Sequence, residues 1–267
     1  MKLPTSLFNL LLFSLLTLSC GSDFYIPSQA NMLVLEKKDD IKASLAFNHA
    51  QAAYSPKNHI GLKAGYVFSN VTELSSEREL NMGNIGIGYF NHKVVKPIKG
   101  IKEKNMMMRP KLCLIGYEVY ANISQGSFSS INSGSRTGGT IFISPESRGF
   151  RAFDANIFYP HLSSQIYWQS QTFSLQFGLR AGLLYYYDGF GVGDYTQAER
   201  VLAASLIEDT PFPNLEYDIL FSKGDERLET FMQLTWNSSK NSLINTNLAF
   251  SFGMRLNIPS LIESMKR

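Results

Sequence analysis

Apolar and polar residues alternate with a period of two over one stretch of this chain after another, and that alternation predicts strands. Between Ile244 and Ile258 the even positions Leu248, Phe250, Phe252, Met254, Leu256 and Ile258 are apolar, while Asn247, Ser251, Gly253, Arg255 and Asn257 lie between them. Successive strand side chains point to opposite faces, so this segment has one oily face and one polar, small-residue face. Thr172 to Tyr187 repeats the contrast, with Phe173, Leu175, Phe177, Leu179, Ala181, Leu183, Tyr185 and Tyr187 on one face. Shorter copies run over Ile41–Phe47, Ile60–Ser69, Ile85–Phe90, Cys113–Asn122 and Leu228–Trp236. With the less regular stretches Gln51–Ser55, Ala152–Gln169 and Leu215–Phe221 the total is about ten strands (about eight to twelve), an even number of the kind bacterial barrels show.

The connections mostly alternate in length. Tight turns are expected at Ser55–Asn58, Ser170–Gln171 and Ser222–Glu226, and long loops at Asn70–Arg78, Ile123–Arg148 and Asp188–Asn214. Two connections depart from this order: the short one after Phe47 and the long one over His92–Arg109. Short turns at one end and long loops at the other are the habit of transmembrane barrels. Tyr195 to Glu208 has helical composition and predicts a short loop helix near 195–208. The fold expected is therefore all-β: a single antiparallel up-and-down transmembrane β-barrel over residues 41–258, with a C-terminal tail at 259–267.

Alternation alone leaves open which face points inward. A soluble barrel turns its oily face in, whereas a membrane barrel turns it out to lipid. The polar faces here carry Gly, Ser, Asn and Gln with isolated charges rather than the dense Lys and Glu of a solvated exterior. Aromatic residues gather towards strand ends, as at Tyr159, Trp168, Tyr185–Tyr187 and Trp236, which suits interfacial girdles. Both features favour the membrane arrangement. In that arrangement Lys63, Glu118, Arg180, Glu229 and Arg255 face the lumen and form a packed ion-pair network. The alternative is a lipid-anchored periplasmic barrel that binds a small apolar ligand.

The amino-terminus has the parts of an export signal: Lys2, an apolar run from Leu7 to Leu18, then small or polar residues. About a dozen apolar residues fall short of the roughly 20 that a membrane-spanning helix needs. Thr17-Leu18-Ser19-Cys20-Gly21 resembles a bacterial lipobox, with Thr17 in place of the usual leucine. Residues 1–19 are thus read as a lipoprotein signal peptide, Cys20 as the site of lipidation, and residues 20–40 as an anchored linker. The other cysteine, Cys113, falls on an apolar strand face and is no natural disulfide partner.

Composition adds little chemistry. Aromatic residues make up 13% of the 267 positions, as suits many strands, and a net charge of +3 does not point to nucleic acid. The segment His92–Arg109 is basic, with Lys93, Lys96, Lys99, Lys102, Lys104 and Arg109 against only Glu103. Two readings stay open there: contact with anionic lipid or lipopolysaccharide phosphates, or a solvated loop. His49, His59, His92 and His161 show no metal-ligand spacing, so neither metal nor cofactor is expected. His161 with Ser163 and Ser164 is the only close His/Ser cluster. It is read as a polar kink beside Tyr159-Pro160 rather than as an acyl hydrolase site, so no catalytic residue is assigned. The glycine-rich Gly189–Asp194 lacks the strand–helix context of a phosphate loop and is read as a flexible loop.

The order of segments resembles a family of Bacteroidota outer-membrane β-barrel lipoproteins, mostly of unassigned function. The matching pieces are Ser19-Cys20, KASLAFNHAQAAYSPKNHIGLKAGYVF (Lys42 to Phe68), NIFYPHLSSQIYWQSQTFSLQFGLRAG (Asn156 to Gly182) and NTNLAFSFGMRLNI (Asn245 to Ile258). The likeness covers most of the chain after the leader and rests on pattern and turn chemistry. A departure from outer-membrane barrels in general is the ending SLIESMKR, which has no terminal aromatic. The resemblance implies outer-membrane location, membrane lipids as partners, and a structural, binding or transport-related role, and it transfers no catalytic residue.

Overall fold

The structure is a computed structural model that describes residues 30, 32–72, 76–95, 113–132, 151–170, 173–193, 211–224, 228–239 and 248–259. Ten strands follow in chain order: β1 (Ile41–Ala46), β2 (His49–Lys57), β3 (Ile60–Thr72), β4 (Ser76–Val95), β5 (Cys113–Asn132), β6 (Arg151–Gln169), β7 (Phe173–Gly193), β8 (Phe212–Gly224), β9 (Leu228–Ser239) and β10 (Leu248–Asn257). Each pairs antiparallel with its neighbours in sequence, and β1 closes the barrel on β10 through Lys42↔Asn257 to Ala46↔Gly253. Closure leaves no free strand edge. The connections 58–59, 96–112, 170–172 and 225–227 share the end at which β1 starts, called here the proximal end. His59 takes a positive φ of 66° in the two-residue turn between β2 and β3.

The oily faces point outward. Leu45 (62% exposed), Leu162 (61%) and Phe252 (60%) stand on the outer wall with Ile85, Ile87, Val119 and Phe177. Ser44, Lys63, Glu118, Arg180, Asp218, Gln233 and Arg255 are buried on the inner wall. Around the middle of the barrel the usual order of a water-soluble protein is thus inverted.

The strands also run further than the alternation predicts. The expected loop at Asn70–Arg78 shrinks to 73–75, β5 continues to Asn132, β4 extends through Val95, and Gly189–Gly193 belongs to β7 rather than to a loop. Pro160 lies within β6, where it pairs with Ile123 on β5, while the β7 ladder skips Tyr159 and Pro160. At the distal parts of β4 and β5 the alternation misses this length because the pattern changes phase. On β5 the outward residues turn from Ile115, Tyr117, Val119 and Ile123 to Gln125, Ser127 and Ser129, while the inward Phe128 is buried. On β4 the exposed Glu77 and Glu79 alternate with buried Leu80 and Met82. At this distal end the barrel has an apolar core of its own, built from Leu80, Met82, Phe128, Phe153, Ile157, Leu184 and Tyr186. The expected helix near 195–208 lies outside the described residues.

Candidate functional site

Inside the barrel lies part of the chain itself. Ala30 and Met32–Leu35 are buried, and their backbone bonds to inward side chains from opposite walls. Gln51 of β2 and Gln233 of β9 donate to the Ala30 carbonyl at 2.9 and 3.1 Å. The Ala30 amide faces Asp218 of β8 at 3.5 Å, and the Leu35 amide donates to Glu118 of β5 at 3.1 Å. Arg255 of β10 donates to the Met32 carbonyl at 2.9 Å, and the Gln176 amide of β7, turned to its bonding orientation, donates to the same carbonyl at 2.6 Å. An extended segment away from water must satisfy its peptide groups somewhere, and here the lumen side chains take the place of a neighbouring strand. The apolar side chains of the segment sit on small clusters: Met32 with Ala46, Leu220 and Phe231, and Leu33 and Leu35 with Ala53 and Phe90.

Residues 20–40 are expected as a linker. Ala30 and Met32–Glu36 instead plug the barrel. A short apolar run, Met32-Leu33-Val34-Leu35, five residues ahead of β1 is the available signal. Glycine on the inner wall makes room for it: a Cβ on Gly178 would approach Met32 to 3.3 Å and Asp218 to 3.1 Å.

The five charges expected in the lumen are distributed among three clusters. Lys63 and Glu118 pair at 2.6 Å, both fully enclosed, with Gln165 donating to Glu118 at 2.8 Å and the Lys63 ammonium 4.3 Å from the Tyr120 ring centre. Arg255 faces the half-buried Glu229 at 3.8 Å. Arg180, 2% exposed, binds Glu216 at 3.0 Å and Asp218 at 3.3 Å. Asp218 also accepts from Gln233 at 3.1 Å and from the Thr235 hydroxyl. Glu216 and Asp218 were missed in the sequence. They alternate with Leu215, Tyr217, Ile219 and Phe221, so the acidic face of an amphipathic strand was there to be read. Each cluster contains a group that binds the plug backbone: Glu118, Asp218 or Arg255.

At the proximal mouth Glu36 continues the plug. It accepts from the Lys42 ammonium at 2.7 Å and from Gln169 at 3.5 Å. Burial pushes its carboxyl up, but the Lys42 ammonium, with lesser help from His92 and Gln169, outweighs this and holds the group below its ordinary pKa of 4.5. A depressed carboxyl pKa gives stability that is present above the unfolded value and lost as pH falls through the folded one. Acidification below about pH 4.5 should therefore loosen the mouth, read as a falling melting temperature, and Glu36→Gln should remove that step.

The other candidates disperse. His161 is buried and stacks on Tyr159 with ring centres 4.5 Å apart, its Nδ1 facing the Tyr159 carbonyl at 3.1 Å. Ser163 takes a hydrogen bond from Asn122 at 2.8 Å rather than meeting His161. Among the described residues no three His, Cys, Asp or Glu side chains converge as metal ligands. Lys93 is exposed on the outer face of β4, whereas Lys96, Lys99, Lys102, Lys104, Arg109 and Cys20 lie outside the described residues. The enclosed cavity between the plug, Lys63, Tyr120, His161 and Arg180 measures about 20 Å³, room for about one water. What fold and site define is a closed ten-stranded barrel with a polar lumen occupied by its own amino-terminal segment. No protein-family model matches the chain, and no curated protein matches it in sequence.

Proposed function

We propose that the chain is a bacterial outer-membrane barrel lipoprotein: its wall stands in lipid, Cys20 carries the acyl anchor, and its lumen is plugged. The observation that carries this reading is the outer wall. Water-soluble monomers rarely expose a contiguous apolar patch of more than a few hundred Å², and here large apolar side chains face outward on all ten strands while charged and amide side chains line the lumen at mid-barrel. The filled lumen supports a structural or binding role. Any transport-related role would require the plug to move first. An apolar-ligand barrel, the other reading, needs an oily cavity at mid-barrel, where this lumen is polar and occupied.

Leu45→Arg tests the reading. Leu45 projects from the outer wall, 62% exposed, and arginine on a lipid-facing surface costs up to about 2–4 kcal/mol. In vesicles the variant should lose stability of that order, whereas in water-soluble form it should be neutral. Full stability of Leu45→Arg in vesicles, or a chain that stays monodisperse without detergent, would sink the membrane reading.

A further inference from the structure

The outer wall near the proximal end is not smooth. A groove of about 530 Å³ crosses β4 to β7 there, within the roughly 300–1,000 Å³ of ordinary ligand sites. The strand register explains its shape. Lys93, Ile115, Trp168 and Leu175 are successive pairing partners across the four strands, and Asn91, Tyr117, Ile166 and Phe177 form the adjoining row. Both rows point outward, so the groove has one exposed ammonium at its β4 edge and an apolar floor leading away from it. Lys93 lies two positions from the end of β4, whereas Phe177 lies further up the wall, among the exposed apolar residues.

We propose that this groove is a binding site for one anionic phospholipid, its phosphate on Lys93 and an acyl chain along Ile115, Trp168, Ile166 and Phe177. The inference rests on the membrane reading of the barrel. Charge at one edge and apolar surface beyond it match the two ends of such a lipid in the order a bilayer presents them. Three of the four connections at the proximal end, 58–59, 170–172 and 225–227, are short and only 96–112 is long, which is closer to the habit of the periplasmic side. The lipid concerned is then a glycerophospholipid of the inner leaflet. A single basic residue at the surface favours an anionic headgroup by a factor of about five.

The chain has two tryptophans, which makes a direct test available. Trp168 lines the groove, and Trp236 lies on β9, stacked on Tyr217 at 5.3 Å. The full chain carrying Trp236→Phe, which leaves Trp168 as the reporter, would be reconstituted in phosphatidylcholine vesicles with a minority of phosphatidylglycerol bearing brominated acyl chains. Site binding predicts quenching of Trp168 about fivefold above that expected from the bulk fraction of brominated lipid. Lys93→Gln should bring it down to the bulk level, and Ile115→Trp with Trp168→Phe should report the same enrichment from within the groove. Quenching at the bulk level in the parent, or enrichment that survives Lys93→Gln or occurs equally with brominated phosphatidylcholine, overturns the site but leaves the membrane barrel standing. Absence of quenching by any brominated lipid at any fraction would remove the wall from lipid, and the membrane reading would fall with the site.

Discussion

Glu118→Leu is expected to cost the barrel about 3–5 kcal/mol, the usual penalty for removing one partner of a buried ion pair. The carboxylate is fully enclosed and serves three donors at once: Lys63 at 2.6 Å, Gln165 at 2.8 Å and the plug amide of Leu35 at 3.1 Å. Leucine fills similar space but accepts no hydrogen bond. It leaves a buried ammonium without its carboxylate, 4.3 Å from the Tyr120 ring centre, and a plug amide without that acceptor. Replacing both charges, as Lys63→Met with Glu118→Leu, should recover most of the loss, because the ammonium is then gone and only the amide contacts remain broken. Urea unfolding in vesicles, followed by tryptophan fluorescence, would measure both variants. A loss below about 1 kcal/mol in the single variant, typical of solvent-exposed pairs, would mean that Glu118 is not enclosed as described.

The same residues show how far the sequence could be read. Lys63, Glu118, Arg180 and Arg255 stood out because each is a lone charge on the polar side of a strong alternation, and the register places all four on the inner wall. Their partners were harder to foresee. Which carboxylate meets Arg180 depends on the β7–β8 pairing Arg180↔Glu216 and Gly178↔Asp218, a fact of register that no single strand contains. Strand existence was legible for all ten, since an apolar outward face repeats every second residue wherever the wall carries oily side chains. Strand length was not. Beyond Ile123 on β5 and Ile85 on β4 the outward face turns polar while the inward face turns apolar, so the two halves of one strand are out of phase and the signal cancels. The plug left still less trace. Its residues show no alternation that specifies pairing, and its backbone is held by side chains scattered over β2, β5, β7, β8, β9 and β10.

Deletion of residues 30–36 should turn the proximal half of the lumen from packed protein into water. Four buried apolar side chains, Met32, Leu33, Val34 and Leu35, leave with the segment, each worth about 1.5–3 kcal/mol when fully buried. The shortened barrel should therefore unfold at clearly lower denaturant. The inner-wall groups that held the plug would not be left in vacuum, because Glu118, Asp218, Gln51 and Arg255 can bond water that enters through the proximal mouth. For that reason the strand ladder should survive, keeping its far-ultraviolet spectrum, although stability falls. The decisive readout is Lys63. In the full chain its ammonium is enclosed against Glu118, the carboxylate that also holds the Leu35 amide of the plug, so water-soluble amine reagents should label it at least about tenfold more slowly than exposed Lys57 or Lys93. In the deletion the rates should converge. Steady conductance across a bilayer is not expected from this deletion alone, because the apolar cluster of Phe128, Phe153, Leu80, Met82 and Tyr186 still packs the distal lumen. If Lys63 stays protected after the deletion, the segment does not cover it. If it is equally reactive in the full chain, the segment does not occupy the lumen at all.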